Sequence, residues 1–289
     1  MDNLEKKISE SQQITRIDYD VGVLIKDESM GQDFSDNGDK NFAGRGWFFG
    51  GVYDGHGYFD GGMANTVWLQ LPAEFEESLL SDQSKELSSE LVKSSFEKAY
   101  NTISQRLLRY TDSRGGTMAV NAFIAYPNLY IAHAGDSKGV VCVNDKLIYA
   151  TKDHTDERGK YYRALGHSNK ESRPDVYYTS LHELLKQGTI RVVLFSDGIL
   201  EGMNIQTEYQ MPRIASIVSG YENAQKSAEA LMEETNSSLD DRVVMVVRLI
   251  PRTQHDIEKE KLKSEPLKRE PEIPKREGVI RRLFNKWKK

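Results

Sequence analysis

Aspartates recur at one kind of place in this sequence. Asp54 closes "GGVYD", Asp136 follows "IAHAG", Asp197 follows "VVLFS", and Asp240 with Asp241 directly precedes "RVVMVV". A lone acid beside an apolar strand is ordinarily a turn residue. Acids repeated at several strand ends suit a hard divalent cation, because Mg²⁺ and Mn²⁺ take oxygen ligands and usually combine a few carboxylates with retained water. If strands of two sheets deliver these acids to a common edge, their mutual repulsion is tolerable only with cations between them. Gly55 lets a backbone carbonyl approach a metal, since no side chain blocks it. His56 would then sit beside the ions, able to give or take a proton near neutral pH.

The elements that must position these residues alternate strand-like blocks with helical ones up to about residue 250. "YDVGVLI" (19–25) and "GWFFGGVY" (46–53) are short, β-branched or aromatic, and bounded by Gly, Asp and Asn, which is the strand signature. Residues 62–80 and 87–109 are the long helical candidates. In the second, Leu87, Leu91, Phe96, Ala99, Tyr100, Ile103 and Leu107 form one buried stripe, while Pro72 is expected to break or kink the first. From Thr117 to Thr151 four short strands are joined by the turn pairs "PN", "DS" and "ND", which predicts one antiparallel meander. "IRVVLFS" (190–196) and "RVVMVVRLI" (242–250) add two strands, with a helix at 222–236 between them. The pattern is α+β, with helices covering sheet faces and strands covered on both sides. "DFSDNGDKNFAG" (33–44) matches much of a calcium loop, but Gly44 stands where a bidentate Glu is required, so it reads as a polar loop.

The chain has 289 residues, 38% of them hydrophobic, enough for a proper core. No run approaches the length of a membrane-spanning helix and the N-terminus lacks signal-peptide features, so a cytoplasmic protein is expected. Cys142, the single cysteine, lies in the apolar alternation "GVVCVN" and reads as a small buried core residue. Residues 251–289 hold 13 Lys and Arg against 7 Asp and Glu, which leaves 26 against 37 in residues 1–250 and makes the body acidic. An acidic body argues against nucleic acid as the main ligand. The expected organisation is a catalytic domain at 1–250, a disordered charged linker at 251–277 and a basic amphipathic helix at 278–289. On that helix Val279, Ile280, Leu283, Phe284 and Trp287 face one way, with Arg281, Arg282, Lys286, Lys288 and Lys289 opposite. Such a segment docks on an anionic membrane surface or in a partner's groove, or folds back on its own acidic body, unless its pattern is accidental.

Taken in order, "MGQD" (30–33), "VYDGHG" (52–57), "GGTM" (115–118), "HAGDSKG" (133–139), "KDHT" (152–155), "LFSDGILE" (194–201) and "LDDRVVMVV" (239–247) resemble the motifs of the metal-dependent protein phosphatases of the 2C type. The resemblance covers residues from about 15 to 250. It implies a four-layer α/β/β/α sandwich of two antiparallel sheets flanked by helix pairs. It also implies a monomer that hydrolyses phosphoserine and phosphothreonine in phosphoproteins with two, or three, Mg²⁺ or Mn²⁺ ions. By that resemblance Asp54 bridges two metals, Gly55 lends its carbonyl, Asp197 and Asp240 are ligands of the second ion, Asp136 of a third, and Asp33 holds metal-bound water. Asp241 is the alternative to Asp240 if the register of the last motif shifts by one. The implied chemistry is in-line attack of hydroxide bridging the metals, with His56 protonating the departing oxygen.

Family members usually carry a phosphate-gripping Arg five residues before the acid matched by Asp33; here Glu28 stands there. An acid in place of a bidentate cation repels the substrate phosphate. Lys26, roughly 6 to 7 Å away along a strand, is the candidate substitute. "RALGH" places His167 where the family often has Asp. The alternative reading is a catalytically weak pseudophosphatase that binds phosphoproteins or regulates a partner.

Overall fold

The computed structural model describes residues 14–26, 33–42, 45–57, 60–81, 87–109, 115–158, 160–238, 240–253 and 255–259. Glu28 and the segment 278–289 lie outside the described residues. Arg16–Pro251 form one compact unit. In chain order its elements are β1 (Ile14–Lys26), β2 (Asp33–Phe42), β3 (Arg45–His56), α1 (Asp60–Leu80), α2 (Ser89–Leu107), β4 (Gly116–Ala125), β5 (Asn128–Ala134), β6 (Lys138–Val143) and β7 (Lys146–Ala150). They continue with β8 (Asp175–Ser180), α3 (Leu181–Leu185), β9 (Ile190–Phe195), α4 (Gly198–Glu201), α5 (Thr207–Ser219), α6 (Ala224–Glu234) and β10 (Arg242–Thr253). In the other unit, residues 255–259, expected as disordered linker, form one helical turn. Thr253 and Asp256 cap it reciprocally: the Asp256 carboxylate accepts from the Thr253 amide at 3.0 Å, and Thr253 Oγ1 accepts from the Asp256 amide at 3.2 Å.

The ten strands form two five-stranded sheets, β1-β10-β9-β6-β7 and β2-β3-β4-β5-β8. Two-residue periodicity decides what each face covers. On the second sheet Trp47, Phe49 and Tyr53 of β3 and Phe123 of β4 pack with Val67, Leu71 and Phe75 of α1 and Phe96 and Tyr100 of α2. On the first, Val193 and Phe195 of β9 and Val244 and Val246 of β10 pack with Ile214 and Val218 of α5 and Ala228 and Leu231 of α6. The intervening residues, including Val120, Ile131, Leu194 and Met245, are wholly buried. They lie between the sheets: a Cβ on Gly50 would meet Met245, and one on Gly139 would meet Ile131, Val120 and Leu194. The layers are therefore helix pair, sheet, sheet, helix pair. Among the described residues no helix is long and apolar enough to cross a membrane.

Four expectations are corrected. The four strands from Thr117 onwards do not make one meander: β4 and β5 belong to one sheet, β6 and β7 to the other. The chain crosses between sheets at Gly135, whose φ of 108° only glycine adopts freely. The loop at 33–44 is instead mostly strand β2, paired along its length with β3 from Asp33↔Asp54 to Phe42↔Arg45; ladder hydrogen bonds override its turn-rich composition. Helix α1 is not broken at Pro72: Leu71, Phe75 and Leu79 are fully buried around it, so packing outweighs the lost amide bond. Strand β8 and helix α5, neither of them expected, cover an edge and a face of the sheets.

Candidate metal centre and active site

Four chain segments converge where the two sheets present neighbouring ends. Asp54 lies near the end of β3, opposite Asp33 on one side and Met118 on the other. Asp136 occupies the crossover from β5 to β6. Asp197 follows β9 and stands at the N-terminus of α4 without making a side-chain capping bond. Asp240 sits just before β10, whose Val244 pairs with Phe195. Ligand atoms of Asp54, Asp136 and Asp197 lie within 4.8 Å of one another, as do those of Asp197, Glu201 and Asp240. Asp197 belongs to both groups, so they form one continuous acidic site.

The electrostatics fit a cation site. Burial drives the Asp197 carboxyl far above its ordinary range, and the charges of Asp136, Asp240 and Glu201 push it the same way. Burial raises Asp136 as well, with Asp153 and Asp240 adding to the effect and Lys138 opposing it. A side-chain hydrogen bond between Asp197 and Asp54 works the other way and lowers it. An all-oxygen cluster of crowded, half-buried carboxylates is the donor set that Mg²⁺ or Mn²⁺ relieves.

Local structure holds the acids in place. Ser196 links two of the segments: its Oγ accepts from the Val243 amide at 3.1 Å and donates to the Asp241 carbonyl at 3.4 Å. Asp241 is 3% exposed and Asp240 joins the cluster, so the alternative register is not the one that reaches the site. Arg242, fully buried, donates to the Thr235 carbonyl at the end of α6 and to Met232 at 3.4 Å, which anchors the start of β10.

His56 is the last residue of β3, two positions after Asp54 and on the same face of the strand, opposite Gly116. Its ring meets Tyr161 edge-on at 4.8 Å and stacks on His167 at 6.0 Å. Neither ring nitrogen has a hydrogen-bond partner among the described residues. Burial, then the charges of His167 and Lys170, lower its pKa to about 4. Lys170 lies 4.7 Å over the Tyr161 ring and donates to the Tyr161 carbonyl. Tyr161 and Lys170 were not singled out from the sequence, and no motif marked them. Glu201 was missed although it stands one helical turn after Asp197, a spacing that puts both on one face.

Lys26 does not join the acids directly. Its ammonium donates to Asn236 Oδ1 at 3.2 Å, on the segment that leads to Asp240. Gly55 is buried within β3, opposite Thr117. Cys142 is buried, with its thiol pushed up to about 11 by burial, which leaves it no nucleophilic role.

Residues 29–160 match the family model of protein phosphatase 2C. Over those residues the chain is similar to the protein phosphatase 2C family. Among curated relatives, protein phosphatase 1B of Rattus norvegicus is 30% identical over 117 residues, which is 37% of this chain and 30% of that protein. The match thus spans under a third of the length of that relative. Among solved structures, a serine-threonine phosphatase 2C from Toxoplasma gondii superposes with a TM-score of 0.66 at 16% identity, covering 80% of this chain and 95% of the other. The catalytic domain of the serine threonine protein phosphatase PstP, in complex with two manganese ions, superposes with a TM-score of 0.54 at 18% identity, covering 81% and 99%. These likenesses establish the phosphatase 2C fold, and this chain's acids lie where its two sheets meet.

Proposed function

We propose that this protein hydrolyses phosphoserine and phosphothreonine in phosphoprotein substrates with two or three bound Mg²⁺ or Mn²⁺ ions. The observation that carries the reading is the convergence of Asp54, Asp136 and Asp197, extended by Glu201 and Asp240, beside a histidine whose ring nitrogens have no partner among the described residues. Asp54, Gly55, Asp136, Asp197 and Asp240 would hold the ions, with Asp33 at the same end of the β2–β3 ladder. When bound, such ions supply Lewis acidity toward water and offset charge on the phosphoryl oxygens.

The remaining chemistry falls to this chain's side chains. Attack of water on phosphorus breaks the bond to the seryl or threonyl oxygen; the His56 imidazole, held neutral by burial, takes up the proton that the water releases and passes it to that oxygen. Tyr161 and His167 hold the ring between them. We place Lys26 at the phosphate-binding side, as a point charge in the absence of the customary Arg.

The test is hydrolysis of an aryl phosphate and of a phosphothreonine peptide with Mn²⁺, with chelator, and with Asp54→Asn. Turnover that needs Mn²⁺ and falls at least a hundredfold in Asp54→Asn is expected; wild-type protein that binds Mn²⁺ yet turns over no faster than Asp54→Asn overturns the reading.

A further inference from the structure

A second group of ligating side chains lies apart from the acids. His133, His154 and Asp175 bring ligand atoms within 4.8 Å of one another, the donor set of a transition-metal site. Its geometry is not that of a metal site. The two imidazoles stack at 4.4 Å with planes 12° apart, so their in-plane lone pairs run side by side and do not converge. His154 Nδ1 accepts the Gly135 amide at 3.1 Å, which puts the ring proton on Nε2, where it donates to Asp175 Oδ2 at 3.1 Å. Arg163 Nη1 completes the group, 2.6 Å from Asp175 Oδ1 and 2.9 Å from His154 Nε2, so it competes with Asp175 for that nitrogen while the Gly135 amide holds Nδ1.

The partner of that imidazole is informative. Gly135 precedes Asp136 at the point where the chain leaves one sheet for the other, with a φ of 108°. His154 holds Gly135 twice, since its own amide also donates to the Gly135 carbonyl at 3.1 Å. The flanking residues continue the attachment. Lys138 pairs with Asp153, the Thr151 amide donates to the Gly139 carbonyl at 2.9 Å, and the Gly139 amide donates to Thr151 Oγ1 at 3.0 Å. The segment 151–154 is thus laced along 135–139, and Asp136 projects from the laced stretch. Asp175 stands opposite His133 at the start of β8, so Asp175 and Arg163 fix the ring from behind while Nδ1 faces the loop.

We propose that His154 is a positioning residue for Asp136: by accepting the Gly135 amide at Nδ1 it fixes the crossover that aims the Asp136 carboxylate at the acidic cluster. The proposal rests on the reading of Asp136 as part of a cation site. Loss of the Nδ1 acceptor leaves a buried amide unpaired and frees the loop to move Asp136. Neutral imidazole is required, because an imidazolium has no acceptor. Burial lowers the His154 pKa against the raising effect of its bond to Asp175, with Arg163 adding to the lowering, and the net direction supports that state.

The experiment is calorimetric titration of the full-length protein with Mn²⁺, comparing wild type, His154→Leu and His154→Asn. Asn carries an oxygen in the place of Nδ1, whereas Leu removes the acceptor. The expected result is Mn²⁺ binding weakened about tenfold in His154→Leu and restored in His154→Asn, the size typical of residues that orient metal ligands. A His154→Leu protein with wild-type circular dichroism and wild-type Mn²⁺ affinity overturns the proposal, as does a folded His154→Asn protein that binds no better than the Leu variant. A wild-type protein that binds no Mn²⁺ sinks the cation site itself, and the proposal with it. Should His154→Leu fail to fold, long-range ¹⁵N–¹H correlation on the wild type decides: the Nε2–H tautomer is expected, and an Nδ1–H tautomer or an imidazolium at pH 7.5 overturns the proposal.

Discussion

A Cβ placed on Gly198 would lie 2.2 Å from the carbonyl oxygen of Asp241. The residue after one acid of the cluster thus touches the backbone of the residue after another, and only hydrogen fits between them. Gly198→Ala must push the 240–241 segment away from α4, separating Asp240 from Asp197 and Glu201. We expect Mn²⁺ affinity to fall about tenfold or more with the far-UV spectrum unchanged. Calorimetric titration checks it, and unaltered affinity in a folded variant would show that this approach does not matter to the site.

Asn121 carries the buried polar link behind Asp54. Its Nδ2 donates to Tyr53 Oη at 2.7 Å, and its Oδ1 accepts from Tyr100 Oη at 2.7 Å, tying α2 to β3 and β4. Asn121→Leu removes a partner from both phenols at once in a fully buried setting. The expected cost is about 2 to 4 kcal/mol, or a Tm lower by roughly 5 to 12 °C for a domain of this size. Thermal unfolding measures it; a shift under about 2 °C would mean that water or repacking satisfies the phenols.

His133 makes stability depend on pH. It is 2% exposed, and burial lowers its pKa from 6.5 to about 4, so the unfolded chain binds a proton that the folded one does not between those values. Stability is therefore full above pH 6.5 and is lost as the pH falls toward 4, by about 3 kcal/mol at that group. Denaturant unfolding at pH 7.0 and 4.5 should show a drop smaller by about 2 to 3 kcal/mol in His133→Gln than in wild type. Equal drops would assign the acid sensitivity elsewhere.

What was legible in the sequence followed from local chemistry. Each acid of the cluster is a charged residue abutting an apolar strand, and that contrast is visible without tertiary information; hence Asp54, Asp136, Asp197 and Asp240 were all found. Glu201 was not, because an exposed Glu on a short helix looks like solvated surface until the fold brings Asp240 to its other side. The sheet exchange at Gly135 was equally hidden. A tight Gly-Asp-Ser turn is compatible with a hairpin, and only the burial of β5 and β6 in different layers distinguishes the two. Strand β2 was lost to its composition, since Asp, Asn and Gly are poor strand formers and only its pairing with β3 makes it one. Of the side chains around His56, His167 was visible as a departure from a motif, whereas Tyr161 and Lys170 come from a segment with no periodicity.

The segment 278–289 gives a prediction about location. If residues 278–289 form a helix, five apolar residues fall on one side and five basic ones on the other, and we expect the full-length protein to sediment with vesicles containing anionic lipid and a chain lacking residues 278–289 to remain in the supernatant. Binding should weaken as salt is raised, because the basic side contributes by charge. Full-length protein that never sediments with anionic vesicles rules out the membrane surface.

Gly116 and His56 allow the proton-donor role to be separated from everything else at the site. A Cβ on Gly116 would lie 2.9 Å from Cε1 and Nε2 of His56 and from the Leu165 carbonyl oxygen, so Gly116→Ala displaces the imidazole and presses on the backbone at Leu165. A phosphothreonine peptide expels an alkoxide, which needs a proton as the bond breaks; an aryl phosphate expels a phenolate, which does not. His56→Ala should therefore lower kcat on the peptide by about a hundredfold or more and on the aryl phosphate far less, with Gly116→Ala following the same order at smaller size. Mn²⁺ affinity, measured alongside, should stay at the wild-type value in both variants. Parallel losses on the two substrates would mean that His56 acts on the cluster or on phosphate binding, and the proton would have to come from another group.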